Sequence, residues 1–273
     1  MNEPSRYAFP NAAHGQRERL KALEAVLDRG TAQHLSERQV GLGWARLEVG
    51  AGAGSIARWL AERVGPHGRV LATDLNPTAF GSVGDRYPWL TVARHDLRTE
   101  PLPGRSFDLV HARLVLSWLG DPVPALNRLM RALRPGGWLV LEELDFVSAV
   151  PDPAMDAAAA NVFTRVLHAH TVVLSERNGF DPTFGRCLYG LLQTARLTDV
   201  NASGRVSMWR GGEPGGELLR LTFQQLRQAM LDTGLVDDGD VDTAMTLCRR
   251  GLSLMSPVTV TGWGRLPAAG DDH

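Results

Sequence analysis

Apolar positions along the chain alternate between two periods. From Gln16 to Arg29 they fall at Leu20, Leu23, Val26 and Leu27, one face of a helix, and Gly30 predicts its end. A short apolar run from Arg46 to Val49 then reads as a strand. It leads through a glycine turn into a helix from about Ser55 to Val64 and a second strand from Arg69 to Thr73. This βαβ order predicts parallel strands with a right-handed crossover. The rhythm continues with a third strand ending near His95, a fourth ending near Ala112, a helix from Val123 to Leu133, and a fifth strand in WLVLEEL after the RPGG turn.

Near Pro151 the pattern changes. An alanine-rich helical stretch from Ala154 to Leu174 is followed by the helical CLYGLLQTARL. Strand-like residues return in VNASGRVSMWR and LMSPVTVTGWGRL, with the helical runs GELLRLTFQQLRQAML and DVDTAMTLCRR between them. The expected architecture is an α/β, Rossmann-like, seven-stranded, mostly parallel sheet with an antiparallel last strand, plus helical lid insertions. The chain divides into an N-terminal helical segment at 1–40 and a core at 41–150. A helical lid insertion follows at 151–197, then the last two strands with a second helical insertion at 198–273.

Composition narrows the chemistry. With 44% hydrophobic and 22% charged residues, 273 residues can bury a sizeable core. A net charge of -1 argues against nucleic acid or an anionic membrane as partner, and no apolar run approaches a membrane span or a signal peptide. The expectation is a soluble, cytoplasmic protein with a small-molecule substrate; a homodimer is compatible with it. Cys187 and Cys248 lack metal-site spacing, so no metal is expected. Lys21 is the sole lysine and precedes the glycine turn, which excludes a P-loop and a short-chain dehydrogenase couple.

The strongest chemical signal is Glu48-Val-Gly50-Ala-Gly52-Ala-Gly54, ending a strand and opening a helix. Such a turn brings backbone amides close to a ligand. Asp74 ends the second strand, where a carboxylate can accept from ribose hydroxyls or cap the next helix. Asp96 ends the third, where it can meet an adenine amine or remain an ordinary loop aspartate. Together these strand ends describe an adenosine site at the switch point of the sheet. A dinucleotide turn fits poorly, because Ser55 stands where the last glycine of GxGxxG would fall.

The series LEVGAGAGS, VLATDL, RHDL, FDLVHARLVLSWL and ALRPGGWLVLEE resembles the class I S-adenosylmethionine-dependent methyltransferases, in their bacterial small-molecule branch. The resemblance implies S-adenosyl-L-methionine as cofactor. It places Glu48, Gly50, Ala51, Gly52 and Gly54 around the methionine portion and Asp74 with Leu75 at the ribose. Asp96 and Leu97 would frame the adenine, Ala112 and Arg113 would lie near the sulfonium, and Tyr7 would close over the cofactor. It implies methylation of a hydrophobic or aromatic molecule, as in natural-product biosynthesis. The alternative is an enzyme of the same fold that uses the bound cofactor in a rearrangement or cyclisation.

Trp118 occupies a position where the related pattern often has a histidine, so a general base must come from elsewhere. The candidates are Glu142, Glu143 and Asp145 after the fifth strand, and His168 and His170 in the lid; the assignment made is His168 with Glu142. Strand alternation sends Glu142 and Glu143 to opposite faces, and His168 and His170 do not share a helix face. Phe163, Leu167, Phe180, Phe184, Trp209, Phe223 and Met230 either line an apolar pocket or form the core of the lid.

Overall fold

A computed structural model of the chain describes Phe9 and residues 15–38, 40–81, 86–177 and 179–268. The predicted β/α alternation is present as β1 Ala45–Val49, α2 Ser55–Val64, β2 Arg69–Asp74, β3 Leu90–Arg94, β4 Phe107–Arg113, α3 Val123–Ala132 and β5 Leu133–Asp145, preceded by α1 Gln16–Glu37. Two further strands, β7 Thr198–Arg205 and β10 Val258–Arg265, complete a seven-stranded sheet in the order β3-β2-β1-β4-β5-β10-β7. β1, β2, β3, β4 and β5 run parallel, and β10 lies antiparallel between β5 and β7. β1 is buried along its whole length, as a strand covered on both faces must be.

Strand alternation sorts the core. Leu47, Val49, Val110, Leu139 and Leu141 face α3 Val123–Ala132 and α5 Phe184–Gln193. Val70, Ala72, Leu109 and Val140 face α2, with Leu35 of α1 in the same cluster. α5 belongs to this sandwich and not to a lid. Its Leu188 and Leu192 are fully buried against Gly262 of β10, where a Cβ would stand 2.8 Å from a Leu192 methyl. The expected lid over 151–197 therefore contains one core helix, brought onto the sheet because Gly262 leaves room for it.

The cap is built from α4 Ala157–Val172, α6 Pro214–Leu231 and α7 Asp238–Arg249, around Phe163, Phe223, Met230, Val241 and Ala244. The strand-like runs expected as single strands each divide. β8 Met208–Arg210 and β9 Ser253–Met255 leave the main sheet and pair with β6 Val150–Pro151 in a three-stranded sheet beneath the cap. α1 continues past its expected stop at Gly30, which is buried where a side chain would collide with the Arg205 guanidinium. Among the described residues no helix is long and apolar enough to cross a membrane, and no cluster of residues could hold a metal ion.

Candidate active site

A cavity of about 730 Å³ opens between the carboxyl ends of β1, β2 and β4 and the cap. Its sheet half is built from the loops that follow those strands. Gly50 and Gly52 take left-handed φ of 70° and 57°, and their amides and that of Ala51 turn back onto β2. Gly50 and Ala51 donate to the Thr73 carbonyl, and Gly52 donates to Asp74 Oδ2 at 2.9 Å. Asp74 Oδ1 accepts from the Asn76 amide at 2.9 Å, so the carboxylate is clamped in orientation while it still lines the cavity. Leu75, Asn76, His95, Asp96, Leu97 and Arg98 continue this wall. Gly50, Ala51, Gly52 and Ala53 of the turn line the cavity, and the oriented Asp74 carboxylate stands one strand away.

The cap half is apolar and aromatic. Trp118 and Phe180 pack tilted by 48° with centroids 4.6 Å apart, Phe146 meets Phe180 edge-on at 5.2 Å, and Phe9 meets Trp118 edge-on at 6.2 Å. Leu174, Trp209, Leu218, Leu219 and Thr222 close it from above, and Arg19 and His170 are its polar groups from α1 and α4. Leu114, on the wall between the halves, holds a left-handed φ of 56°. A branched residue rarely adopts this, so the site imposes some backbone strain.

A methyltransferase-domain family matches residues 47–141, from β1 into β5. Methyltransferase str3 of Strobilurus tenacellus is 32% identical over 186 residues, which make up 67% of this chain and 63% of that protein. Residues 47–141 are thus a methyltransferase domain by this match, and the chain is similar to the class I S-adenosylmethionine-dependent methyltransferases. Methyltransferase str2 of the same fungus is 31% identical over 186 residues, 67% of this chain and 64% of that protein, so the chain spans just under two thirds of the length of these two relatives. Solved structures share the fold of this chain. A Bacillus halodurans protein named as a methyltransferase has a TM-score of 0.54 at 14% identity, with 87% of this chain and 99% of that one covered. Phosphoethanolamine N-methyltransferase 2 of Haemonchus contortus, solved with S-adenosylhomocysteine, has a TM-score of 0.50 at 14% identity, with 84% of this chain and 49% of that one covered.

The cofactor-half candidates divide into those on the cavity wall and those behind it. Gly50, Ala51, Gly52, Asp74, Leu75, Asp96, Leu97 and Arg113 line the cavity. Gly54 and Ala112 do not: Gly54 starts α2 at φ 91° with Phe80 filling the space of its missing side chain, and Ala112 is buried within the sheet. Tyr7 lies outside the described residues. Asp96 lines the wall, but Arg98 grips both its oxygens, at 2.9 and 2.7 Å, and holds the carboxyl below its usual range. Arg113 is on the wall with its guanidinium bound to Thr31 and Asp28 of α1.

Glu48 does not reach the cavity. It is buried under the glycine turn, 2.6 Å from His111 Nδ1, and His111 Nε2 stands 3.6 Å from Glu142. Burial opposes a charge on His111, but Glu48 and Glu142 outweigh it and raise the imidazole to about 9. Burial likewise works against the Glu142 carboxylate, and His111, Arg113 and Thr31 outweigh it, bringing Glu142 down to about 2. Glu142 accepts from Thr31 of α1, from Thr261 of β10 at 2.9 Å and from Arg205 of β7 at 2.9 Å, and it is fully buried. The expectation of Glu142 as a base fails for a physical reason: every side of the carboxylate is occupied and none of it borders the cavity.

Glu143, on the opposite face, accepts from the amides of Val115, Leu116 and Ser117 and from the Ser117 hydroxyl at 2.7 Å. It shapes the turn that carries Trp118, and burial pushes its carboxyl up to about 7 against those four donors. Asp145 is bound by both arms of Arg186 on α5. His168 is exposed on the outer face of α4 and borders a separate surface hollow, so it too is corrected as a base. His170, two residues on, is the buried histidine that lines the cavity. Sequence reasoning left Arg19, Phe9, Phe146 and Glu24 unassigned. Leu20, Leu23 and Glu24 of α1 face the cavity, and Glu24 accepts from the Ser55 amide at the start of α2. Of the apolar lid candidates, Phe180 and Trp209 line the cavity, while Phe163, Phe223 and Met230 are cap core and Phe184 belongs to the sheet core.

Proposed function

We propose that the protein transfers a methyl group from S-adenosylmethionine to a small hydrophobic or aromatic molecule, as in natural-product biosynthesis. One observation carries this reading: a single cavity joins the glycine turn and the clamped Asp74 carboxylate to a cap half walled by Trp118, Phe146 and Phe180. When bound, S-adenosylmethionine supplies a methyl on a sulfonium, an already activated electrophile. The backbone of Gly50 to Ala53 would hold its amino-acid portion, Asp74 its ribose, and Leu75, Asn76 and Leu97 its adenine. Glu48 is engaged by His111, so Glu24 is the carboxylate that α1 presents to this half of the cavity. With Glu142 and His168 off the cavity, alignment and exclusion of water do most of the work expected of this chain's residues. A cavity that must take both reactants under a cap fits a small molecule better than a peptide or nucleic acid.

The reading is checked by calorimetry with S-adenosylhomocysteine, followed by mass analysis of a screen of phenolic, amine and carbon nucleophiles. The expected outcome is cofactor-product binding and, for at least one flat hydrophobic acceptor, a mass gain of one CH₂ unit. Absence of S-adenosylhomocysteine binding to the folded protein overturns it.

A further inference from the structure

We propose that Glu24 of α1 holds the α-ammonium group of S-adenosylmethionine against the glycine turn, the part that the resemblance gives to Glu48, so that the leading helix is one wall of the cofactor site. This rests on the methyltransferase reading and assigns a binding residue to the same site.

The turn from Gly50 to Gly54 is glycine and alanine throughout, so a charged partner for the ammonium must come from beside it. The carboxylate of its own strand is withdrawn: Glu48 is 2% exposed, lies beneath the turn and is bonded to His111. Glu24 approaches the turn from the other side. It is half-buried on the cavity wall beside Leu20 and Leu23, and its Oε1 accepts at 3.2 Å from the Ser55 amide, where the turn passes into α2. Among the described residues Ser55 alone hydrogen-bonds it. Burial and the neighbouring Asp28 carboxylate raise the Glu24 carboxyl above its usual range, as for a negative charge with no cation bonded to it. Arg113 is near enough to oppose that rise, but its guanidinium is bonded to Asp28 and Thr31. A partly buried carboxylate in this state is costly, and a charge-assisted hydrogen bond from a ligand's ammonium offsets the cost.

The other charged groups of the wall are engaged or stand elsewhere. Asp74 is oriented by Gly52 and Asn76 at the end of β2, where the ribose would lie, and Asp96 is gripped by Arg98 at the end of β3. Asp121 accepts from the Val123 amide at 3.0 Å at the start of α3, and Arg128 of that helix donates to the Leu97 carbonyl at 3.2 Å. Arg19 is bonded to Gln16 and lies over the Phe9 ring in the cap half. His95 meets the Pro101 carbonyl, and burial keeps His170 neutral. Of the four carboxylates, Glu24 and Asp74 adjoin the glycine turn, and Glu24 is the one that faces it from α1. Glu24 also caps the start of α2, whose N-cap Gly54 has no side chain, so a purely structural role is the alternative to be separated.

Calorimetry with three adenosine ligands separates the two roles: S-adenosylhomocysteine, its analogue lacking the α-amino group, and 5′-methylthioadenosine, which lacks the whole amino-acid head. The wild-type protein should bind S-adenosylhomocysteine at least about tenfold more tightly than the desamino analogue. In Glu24→Gln, whose amide oxygen can still accept from Ser55, that preference should fall to about twofold or less. Affinity of the same variant for 5′-methylthioadenosine should stay within about twofold of the wild type. Glu24→Asp, with its shorter arm, should retain part of the preference and carries the comparison if Glu24→Gln does not fold. An unchanged preference in Glu24→Gln, equal weakening of all three ligands, or a wild-type protein indifferent to the α-amino group overturns the assignment of Glu24 and leaves the methyltransferase reading in place. If none of the three ligands binds the wild-type protein, both readings fall.

Discussion

Two aspartates at successive strand ends look alike in the sequence and differ in what they can offer a cofactor. Asp74 is oriented by two backbone amides on the cavity wall, whereas Asp96 is gripped by the Arg98 fork. Asp74→Ala should therefore weaken S-adenosylmethionine at least about tenfold in calorimetry, because hydrogen bonds to a charged acceptor are worth about 1.5 to 3 kcal/mol each. Asp96→Asn should cost clearly less. Equal losses would show that the Arg98 pair opens when the cofactor enters. The two histidines of α4 differ by the same logic. Phe163, Val166 and Leu174 stand seven and four residues before and four after His170, so the apolar stripe of the helix includes His170 and leaves His168 outside. That signal was present in the sequence.

At the scale of elements, α1 is the part whose role the sequence understated. It contributes Arg19, Leu20, Leu23 and Glu24 to the cavity, and farther along it is tied to the sheet through Thr31. Gly30 allows that docking by leaving space for Arg205 to reach Glu142. Two effects oppose each other in Gly30→Ala. Alanine favours a helix interior by about 1 kcal/mol over glycine. Displacing Arg205 from a fully buried carboxylate costs about 3 kcal/mol or more. The loss should win: urea denaturation should show a net destabilisation of about 2 kcal/mol. A stabilised variant would mean that Arg205 finds another path to Glu142.

For the molecule as a whole, the buried charges under the cavity set the dependence of stability on pH. His111 is raised to about 9 from an ordinary 6.5, so its contribution is complete below 6.5 and is lost as pH climbs through 9. Glu142 is lowered to about 2 from 4.5, so its contribution is present above 4.5 and is lost as pH falls toward 2. Glu143, raised to about 7 from 4.5, favours the folded state at low pH and loses that advantage between 4.5 and 7. His170, lowered by burial to about 4 from 6.5, gains stability as pH rises from 4 to 6.5 and offsets the Glu143 loss over most of its window. The melting temperature should rise from pH 2 to about 4.5, change little up to 6.5 and decline from there to pH 9; His111→Gln should flatten that decline, and Glu143→Gln should turn the level stretch into a rise, as followed by thermal denaturation across pH. A decline of unchanged slope in His111→Gln would remove the imidazolium from the account.

The sequence by itself determined the order of strands and helices, the glycine turn with Asp74 beside it, and the family resemblance, because these depend on local periodicity and on a turn that only small residues can make. It did not decide which polar residues meet the ligand. Glu48 and Glu142 look accessible in their motifs, yet parallel pairing sets Glu48 opposite His111, and β5 and β10 bring Glu142 to Thr261. Arg205, from β7, adds a further bond to Glu142. Likewise α5 reads as lid until the bare backbone of Gly262 admits it to the sheet. Periodicity records how each segment presents its own faces; which groups end up facing one another across the fold is set by long-range strand pairing and by the space that particular side chains leave, and only the tertiary structure contains that.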